Sequence, residues 1–330
     1  MMKSRILLVI SIIIFFLSII FSLGTGAVSI PFTTVLNRLI DPGNDVNSLI
    51  IWQLRMPRIL LAALVGASLT VSGAVMQGLF RNPLADPYVT GTASGAALGA
   101  TLSMFLGLFY LSIFFLPLFA FIGAFATTLV VLFISGISGS AKSENMLLAG
   151  IGVSIFLSAF VSLLLYLLGK DLLTVFYWLM GSFSGASWVY VYIMLIVSVP
   201  TIAIIGVMAM DLDPMMLGED HAYSLGIDVK KIRIIFFVLS SLITGLSVAF
   251  SGIIGFVGLV IPHIVRILIG PKNRHLIASS IFIGASYMVI ADTISRSFSI
   301  IMELPVGIVT SMIGVPVFLF LLLKQRNYWR

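Results

Sequence analysis

The sequence predicts an all-α integral membrane protein, with about ten transmembrane helices arranged as two inverted repeats. Three observations carry that prediction. Of the 330 residues 60% are hydrophobic and only 9% are charged, whereas a globular chain carries about 25% charged residues. Charge-free stretches long enough to cross a bilayer follow one another along the chain. A pattern of small residues then recurs in the second half after an odd number of crossings. The chain contains no Cys, which excludes disulfide scaffolds, thiolate metal sites and cysteine nucleophiles. Residues 1 to 330 read as one transmembrane domain.

A crossing helix needs about 20 apolar residues, because lipid offers no partner for an unpaired backbone N–H or C=O. The charge-free runs are 6 to 37, 59 to 80, 87 to 141, 145 to 169, 172 to 210, 234 to 265, 275 to 291 and 304 to 323. The N-terminus resembles a signal peptide, being basic over residues 1 to 5 and small over 24 to 27. Its apolar core from Ile6 to Leu23 exceeds the usual length of about 7 to 15 residues, so it is retained as the first helix. The second span starts at 59. Residues 87 to 141 are too long for one crossing and break near Tyr110 to Pro117, giving the third and fourth. The fifth and sixth follow from 145 and 172. The stretch from 234 divides into a span ending near Phe250 and a shorter one from about Phe256, after Gly252, Gly255 and Gly258. The last two runs are the ninth and tenth.

Charge placement supports that parity. With the N-terminus inside, Lys3, Arg5, Arg81, Lys142, Lys230, Lys231, Arg233, Arg266, Lys272, Arg274, Lys324, Arg326 and Arg330 are cytoplasmic. Arg38, Arg55, Arg58, Lys170 and Arg296 are outside, in accord with the positive-inside rule. The C-terminus then also lies inside. The net charge of +6 is scattered between apolar runs rather than gathered into a nucleic-acid-binding patch. Trp52, Trp178, Trp188 and Trp329 flank spans, as an interfacial aromatic belt requires.

Gly66, Ser68, Ser72, Gly73 and Pro83 recur at one constant offset as Gly245, Ser247, Ser251, Gly252 and Pro262. Five spans separate the copies, so the repeats, about 55 to 168 and 234 to 323, are inverted, a plan common in transporters. Gly91, Gly95 and Gly99 form a stripe that lets another helix approach closely, either within this chain or from a second subunit.

Catalytic constellations are absent from the sequence. His221, His263 and His275 have no metal-ligand spacing. Residues 181 to 185 read G-S-F-S-G, with Phe183 at the position a nucleophile would occupy. Gly169-Lys170 lacks the rest of a phosphate-binding loop, so the chain has no ATPase motif of its own. Asp292 and Arg296 are spaced to pair on one helix face.

Residues 211 to 233 hold 8 of the 30 charges, all in one cytoplasmic loop. Asp213-Pro214 suits a helix start, Gly218 can end that short helix, Glu219 and Asp220 suit the start of the next, and Gly226 can stop it. Two short helices exposing Met215, Met216, Leu217, Tyr223 and Leu225 would make a knob for a soluble partner; a solvated connector is the plainer alternative.

Several segments together resemble the FecCD-type permeases of ATP-binding-cassette importers. They are Arg55-Met-Pro-Arg58, Gly73-Ala-Val-Met-Gln77, Asn82-Pro-Leu-Ala-Asp-Pro87, Leu217-Gly-Glu219, Gly255-Phe-Val-Gly-Leu-Val-Ile-Pro-His263 with Arg266, Ala291-Asp292 with Arg296, and Glu303-Leu-Pro-Val-Gly307. The resemblance spans about residues 50 to 325. It implies a type II importer permease in the cytoplasmic (inner) membrane, paired with a second permease subunit as a homodimer or as a pseudo-dimer with a similar subunit. Two ABC ATPase subunits would dock below, supplying the ATP and Mg site, and an extracytoplasmic substrate-binding protein above; this chain would bind no cofactor. The implied ATPase-coupling residues are Leu217, Gly218, Glu219, Asp220, Ala222, Leu225 and Gly226. Arg55, Arg58 and Arg296 would meet acidic residues of the binding protein, although lipid anchoring or an ion pair with Asp292 also accounts for them. Asn82, Leu84 and Ser143 would form the cytoplasmic gate, and Ser154, Ser158 and Ser162 would line the translocation path or serve helix packing. The expected cargo is a metal chelate moved by alternating access: ferric siderophore first, with haem, cobalamin and molybdate as alternatives. An ion- or proton-driven secondary carrier is the rival class, disfavoured by the scarcity of buried titratable residues.

Overall fold

With no water to pair backbone groups inside a bilayer, the apolar runs close their hydrogen bonds within helices. The structure, a computed structural model, describes residues 2 to 26, 28 to 137, 143 to 169, 172 to 298 and 303 to 325, and among these it contains helices and no strand. In chain order the α-helices are α1 (Met2–Gly24), α2 (Phe32–Ile40), α3 (Val46–Leu49), α4 (Met56–Leu79), α5 (Thr92–Phe105), α6 (Phe115–Ile137), α7 (Ser143–Leu167), α8 (Leu172–Leu179), α9 (Trp188–Leu217), α10 (Glu219–Ser224), α11 (Val229–Ser251), α12 (Val257–Ile269), α13 (Asn273–Ser297) and α14 (Val306–Gln325). Among the described residues, seven helices are long and apolar enough to cross a membrane: α1, the continuous stretch Val46–Leu79, α6, α7, α9, α11 and α13. The three remaining expected spans are the shorter helices α5, α12 and α14.

The sequence-based boundaries shift in three places. The first run stops at Gly24, and its remainder turns back into α2, where Arg38 pairs with Asp45 at 3.0 Å. The second span begins well before residue 59. A π-helical turn at Ile50–Arg55 joins α3 to α4 and widens the ladder just ahead of Pro57, whose missing N–H would otherwise interrupt it. Arg55 and Arg58 therefore sit on a continuous helix, not in a loop. The run 172 to 210 divides into α8 and α9, with the intervening turn made at Gly181 (φ +78°) and Ser187 capping α9 through the Tyr190 N–H. The expected break after Phe250 is present: Gly252 ends α11, and Phe256, in the left-handed region at φ +70°, precedes α12.

α4 is the axis of the bundle, with 89% of its apolar window buried, whereas α7 buries 11%. Without a hydrophobic driving force between helices in lipid, close backbone packing and polar contacts must hold the centre. Gly66 lies against the Gly284 backbone of α13, and Gly73 against Gly258 of α12, so closely that a Cβ at either would overlap the facing carbonyl. Where α4 crosses α11, the Ser72 and Thr244 hydroxyls meet at 2.7 Å. Gln77 Nε2 donates to the Leu259 carbonyl of α12 at 2.9 Å.

The pairings exchange as an inverted repeat requires. α4 rests on α13 through Gly66, and α11, which carries the second copy of the pattern, rests on α6 with Gly245 against Ala124. Gly95 and Gly99 of the predicted stripe pack on the Gly123 and Phe119 backbones of α6, so that stripe serves packing within the chain. Lys142, Lys170, Arg326, Trp329 and Arg330 lie outside the described residues.

Candidate functional sites at the two ends of the bundle

α9 runs from Trp188, whose indole donates to the Trp52 carbonyl at 3.0 Å, to Leu217 at the opposite end. There the charged loop of residues 211 to 233 builds a knob, though not as two separate short helices. Asp213-Pro214 starts nothing, because α9 continues through Pro214 to Leu217. The Asp213 carboxylate caps another helix instead: Oδ1 accepts from the Asn273 backbone N at 2.9 Å and from Asn273 Nδ2 at 2.8 Å. Gly218 (φ +144°) makes the elbow, α10 follows, and Gly226 (φ +79°) stops it, as expected from the glycines.

Leu217, Tyr223 and Leu225 are exposed on this knob, and Asp220 with them. Met215, expected on the surface, is buried in the core, and Met216 turns inward to take the Arg266 Nη1 and Asn273 Nδ2 donors on its sulfur. Ala222, expected among the coupling residues, is buried beneath the exposed face. Glu219 reaches Arg233 Nη2 of α11 at 2.6 Å, which seats α10 on the bundle.

The other end gathers the three arginines selected from the sequence. Arg58 is the centre: Nε lies 3.0 Å from both Asp292 oxygens, Nη2 lies 2.8 Å from Oδ1, and Nη1 reaches Glu303 at 2.9 Å. Arg296 approaches Asp292 Oδ2 at 3.7 Å, and its Nη2 donates to the Ser22 hydroxyl at 2.6 Å and to the Ser22 carbonyl. Arg55 donates to the Leu23 and Val28 carbonyls. The structure thus brings Arg55, Arg58 and Arg296 together. It buries Arg55 and Arg296 against the end of α1, with Glu303 the exposed member of the group. Asp292 is the one carboxylate buried within a membrane-spanning helix among the described residues.

The residues expected at the gate lie about the C-terminal end of α4. Asn82 Oδ1 accepts from the Leu84 N–H at 2.9 Å in the turn after α4, and Ser143 Oγ donates to the Leu79 carbonyl at 3.0 Å. Asn82 and Leu84 are exposed and Ser143 is buried. In the same connection Asp86 accepts from the Tyr88 N–H at 2.8 Å, yet burial pushes its carboxyl up to about 6. Tyr88 Oη donates to the Ile254 carbonyl at 2.9 Å, and burial together with Asp86 pushes its phenol up as well.

Ser154, Ser158 and Ser162 share one side of α7. Ser158 and Ser162 are exposed, and Ser162 Oγ bonds the Ser158 carbonyl at 2.9 Å, the local bond such a helix offers. A cavity of about 580 Å³ opens between α6, α8 and α11, walled by Phe109, Tyr177, Trp178, Tyr190 and Phe250, with Glu303 at its edge. Among the described residues no three His, Asp or Glu side chains are grouped to hold a metal.

Sequence reasoning missed the joint of Asp213, Asn273 and Arg266. Its signal was present in Asn273, a good capping residue at a helix start, but its partner lies 60 residues away.

Comparison with known proteins gives a consistent set of similarities. The profile described as the FecCD transport family matches residues 13–324. The hemin transport system permease protein of Yersinia pestis is 36% identical over 324 residues, covering 94% of each chain. The cobalamin import system permease protein of Halobacterium salinarum is 39% identical over 278 residues, covering 84% of this chain and 74% of that one. A solved structure of an ABC transporter assigned to the metal-chelate type, in an inward-facing conformation, superposes with a TM-score of 0.86 at 34% identity, covering 96% of this chain and 98% of that one.

Proposed function

The chain belongs to the FecCD transport family and is an ABC importer permease; on that premise we propose that it carries a metal chelate across the cytoplasmic membrane, with ferric siderophore the favoured cargo. The hemin and cobalamin permeases among its relatives and the metal-chelate type of the superposed transporter support the chelate class. Two copies of the chain pair along α7 and α14, whose sides are left bare in the single chain, and enclose a path that includes Ser154, Ser158 and Ser162. Small serine side chains, with the Ser162 hydroxyl already bonded to its own helix, give a weakly adhesive surface, which suits release of a bulky cargo.

The observation that carries the energy source is the knob. A sequence with no phosphate-binding loop presents Leu217, Tyr223 and Leu225 outward on a short, firmly seated element. An ATPase subunit is the partner such a permease needs, and it brings the ATP and Mg. At the opposite end, where Arg55, Arg58 and Arg296 gather, an extracytoplasmic binding protein docks; Arg55 and Arg296 are buried and Arg58 is paired with Asp292 and Glu303, so this group offers no free cation to an acidic surface. Asn82, Leu84 and Ser143 close the inner end, where only turn-type hydrogen bonds must break to open.

Purification of the chain from its native membrane, with mass spectrometry of accompanying proteins and metals, tests this. An ATPase that accompanies the parent chain and is lost from the Leu217→Asp, Leu225→Asp double variant is the expected result. A solitary chain that still moves solute without ATP would overturn the reading.

A further inference from the structure

α13 is an unbroken helix of 25 residues with no internal proline, and at 1.5 Å per residue it spans about 37 Å. Its first residue, Asn273, is fully buried and bolted to the root of the knob. The residue before it, Lys272, makes no side-chain cap. Asp213 of α9 supplies the cap from a different helix, holding both the backbone N–H and the amide of Asn273. Arg266 of α12 completes the joint, with Nη2 on Asn273 Oδ1 at 3.3 Å and Nη1 on the Pro271 carbonyl at 3.4 Å. Five turns later the same helix carries Asp292, held by Arg58. Between the two ends, Gly284 is pressed on Gly66 of α4, which leaves the helix no room to bow toward its neighbour.

Resting on the reading of the knob as the ATPase dock, we propose that Asp213 and Asn273 are positioning residues that join the knob to α13, and that α13 carries movement of the knob to the arginine cluster at the far end. A rigid helix fixed at both ends to two different elements cannot shift at one end alone. Coupling between separated sites requires an element whose position both sites bias, and this helix is in contact with both. The sign of the effect is reciprocal: a partner bound at the arginine end alters the energetics of the knob by the same factor.

The absence of Cys makes the test direct. Ser297, exposed at the far end of α13, is replaced by Cys in the complex purified from its native membrane and reconstituted in vesicles. The rate of its modification by an impermeant maleimide is measured without nucleotide and after trapping with ATP and vanadate. We expect a change of about fivefold or more, the lower range of coupling between sites. Asn273→Asp, which sets two carboxylates against each other, should bring that ratio close to one while basal ATP hydrolysis stays as in the parent. The exchange Asp213→Asn with Asn273→Asp should restore the ratio, because Asn at 213 can still accept from the backbone N–H and donate to the new carboxylate. An unchanged ratio in Asn273→Asp, or no nucleotide-dependent change in the parent, overturns the proposal. Should Asn273→Asp fail to assemble, the exchange variant decides alone: a parental ratio supports the joint and a ratio near one overturns it. Lack of any accompanying ATPase would instead overturn the functional reading beneath it.

Discussion

Arg58 and Asp292 meet edge to edge from two helices 234 residues apart in sequence, with three N–O distances between 2.8 and 3.0 Å. Arg296 stands on the other side of the same carboxylate. Asp292 therefore sits between two cations, and its loss would leave both without their shared anion. Asp292→Ala should destabilise the chain by about 3–5 kcal/mol, as removal of one buried partner does. Glu303→Gln, which removes the exposed partner, should cost about 0–1 kcal/mol. Thermal denaturation of the detergent-solubilised variants checks the contrast.

The crossing of α4 and α12 admits no side chain at Gly73. Gly73→Ala should separate the helices and cost about 1–3 kcal/mol or more. Gly136→Ala, at a position with open space around it, serves as the control and should leave the size-exclusion profile and melting midpoint unchanged.

Glu219 and Arg233 tie α10 to α11 at 2.6 Å. Glu219→Gln should loosen the knob without unfolding the bundle, so ATP hydrolysis persists while transport per ATP falls. The double variant Glu219→Arg, Arg233→Glu should recover part of the loss. A coupling energy of about 0.5–3 kcal/mol in the corresponding stability cycle would identify the pair as interacting directly.

Asp86, in the connection after α4, is held with its carboxyl raised to about 6 by burial. The fold favours the neutral form, so below about pH 4 it carries no penalty on this account. As pH rises from about 4 to about 6 the unfolded chain ionises first, and stability falls by on the order of 2 kcal/mol before levelling off. Asp86→Asn keeps an acceptor for the Tyr88 N–H but cannot ionise. Its melting midpoint should gain on the parent across that window and hold the gain at higher pH.

Much of this architecture was legible because lipid imposes so strict a rule on backbone groups. Charge-free runs located the helices, and the glycine series located the break before α12. Gly218 and Gly226 placed the turns of the knob. What escaped was set by contacts distant in sequence. Asp213-Pro214 looked like a helix start because both residue types favour one, yet the carboxylate was engaged by Asn273 and the helix ran on. The early start of the second span was hidden because the π-helical turn carries Arg55 inside a helix, and its guanidinium charge reaches the carbonyls at the end of α1. The convergence of Arg55, Arg58 and Arg296 could be suspected from their shared side of the membrane. Their burial against α1 could not, because nothing local marks the Ser22 and Leu23 carbonyls as acceptors.

The contrast between a sealed α4 and a nearly bare α7 bears on how the protein must be handled once taken from its membrane. Contacts between touching backbones owe little to the surrounding amphiphile, so the α4, α12 and α13 centre should withstand short-chain detergents. α7 leans mainly on α5, α6 and the turn at residues 87 to 90, with a smaller contact to α8, and it relies on whatever lies against its open side. Harsh extraction should thus yield particles with an intact middle and a displaced α7, monodisperse on a column yet inactive, and lipid nanodiscs should preserve what micelles lose.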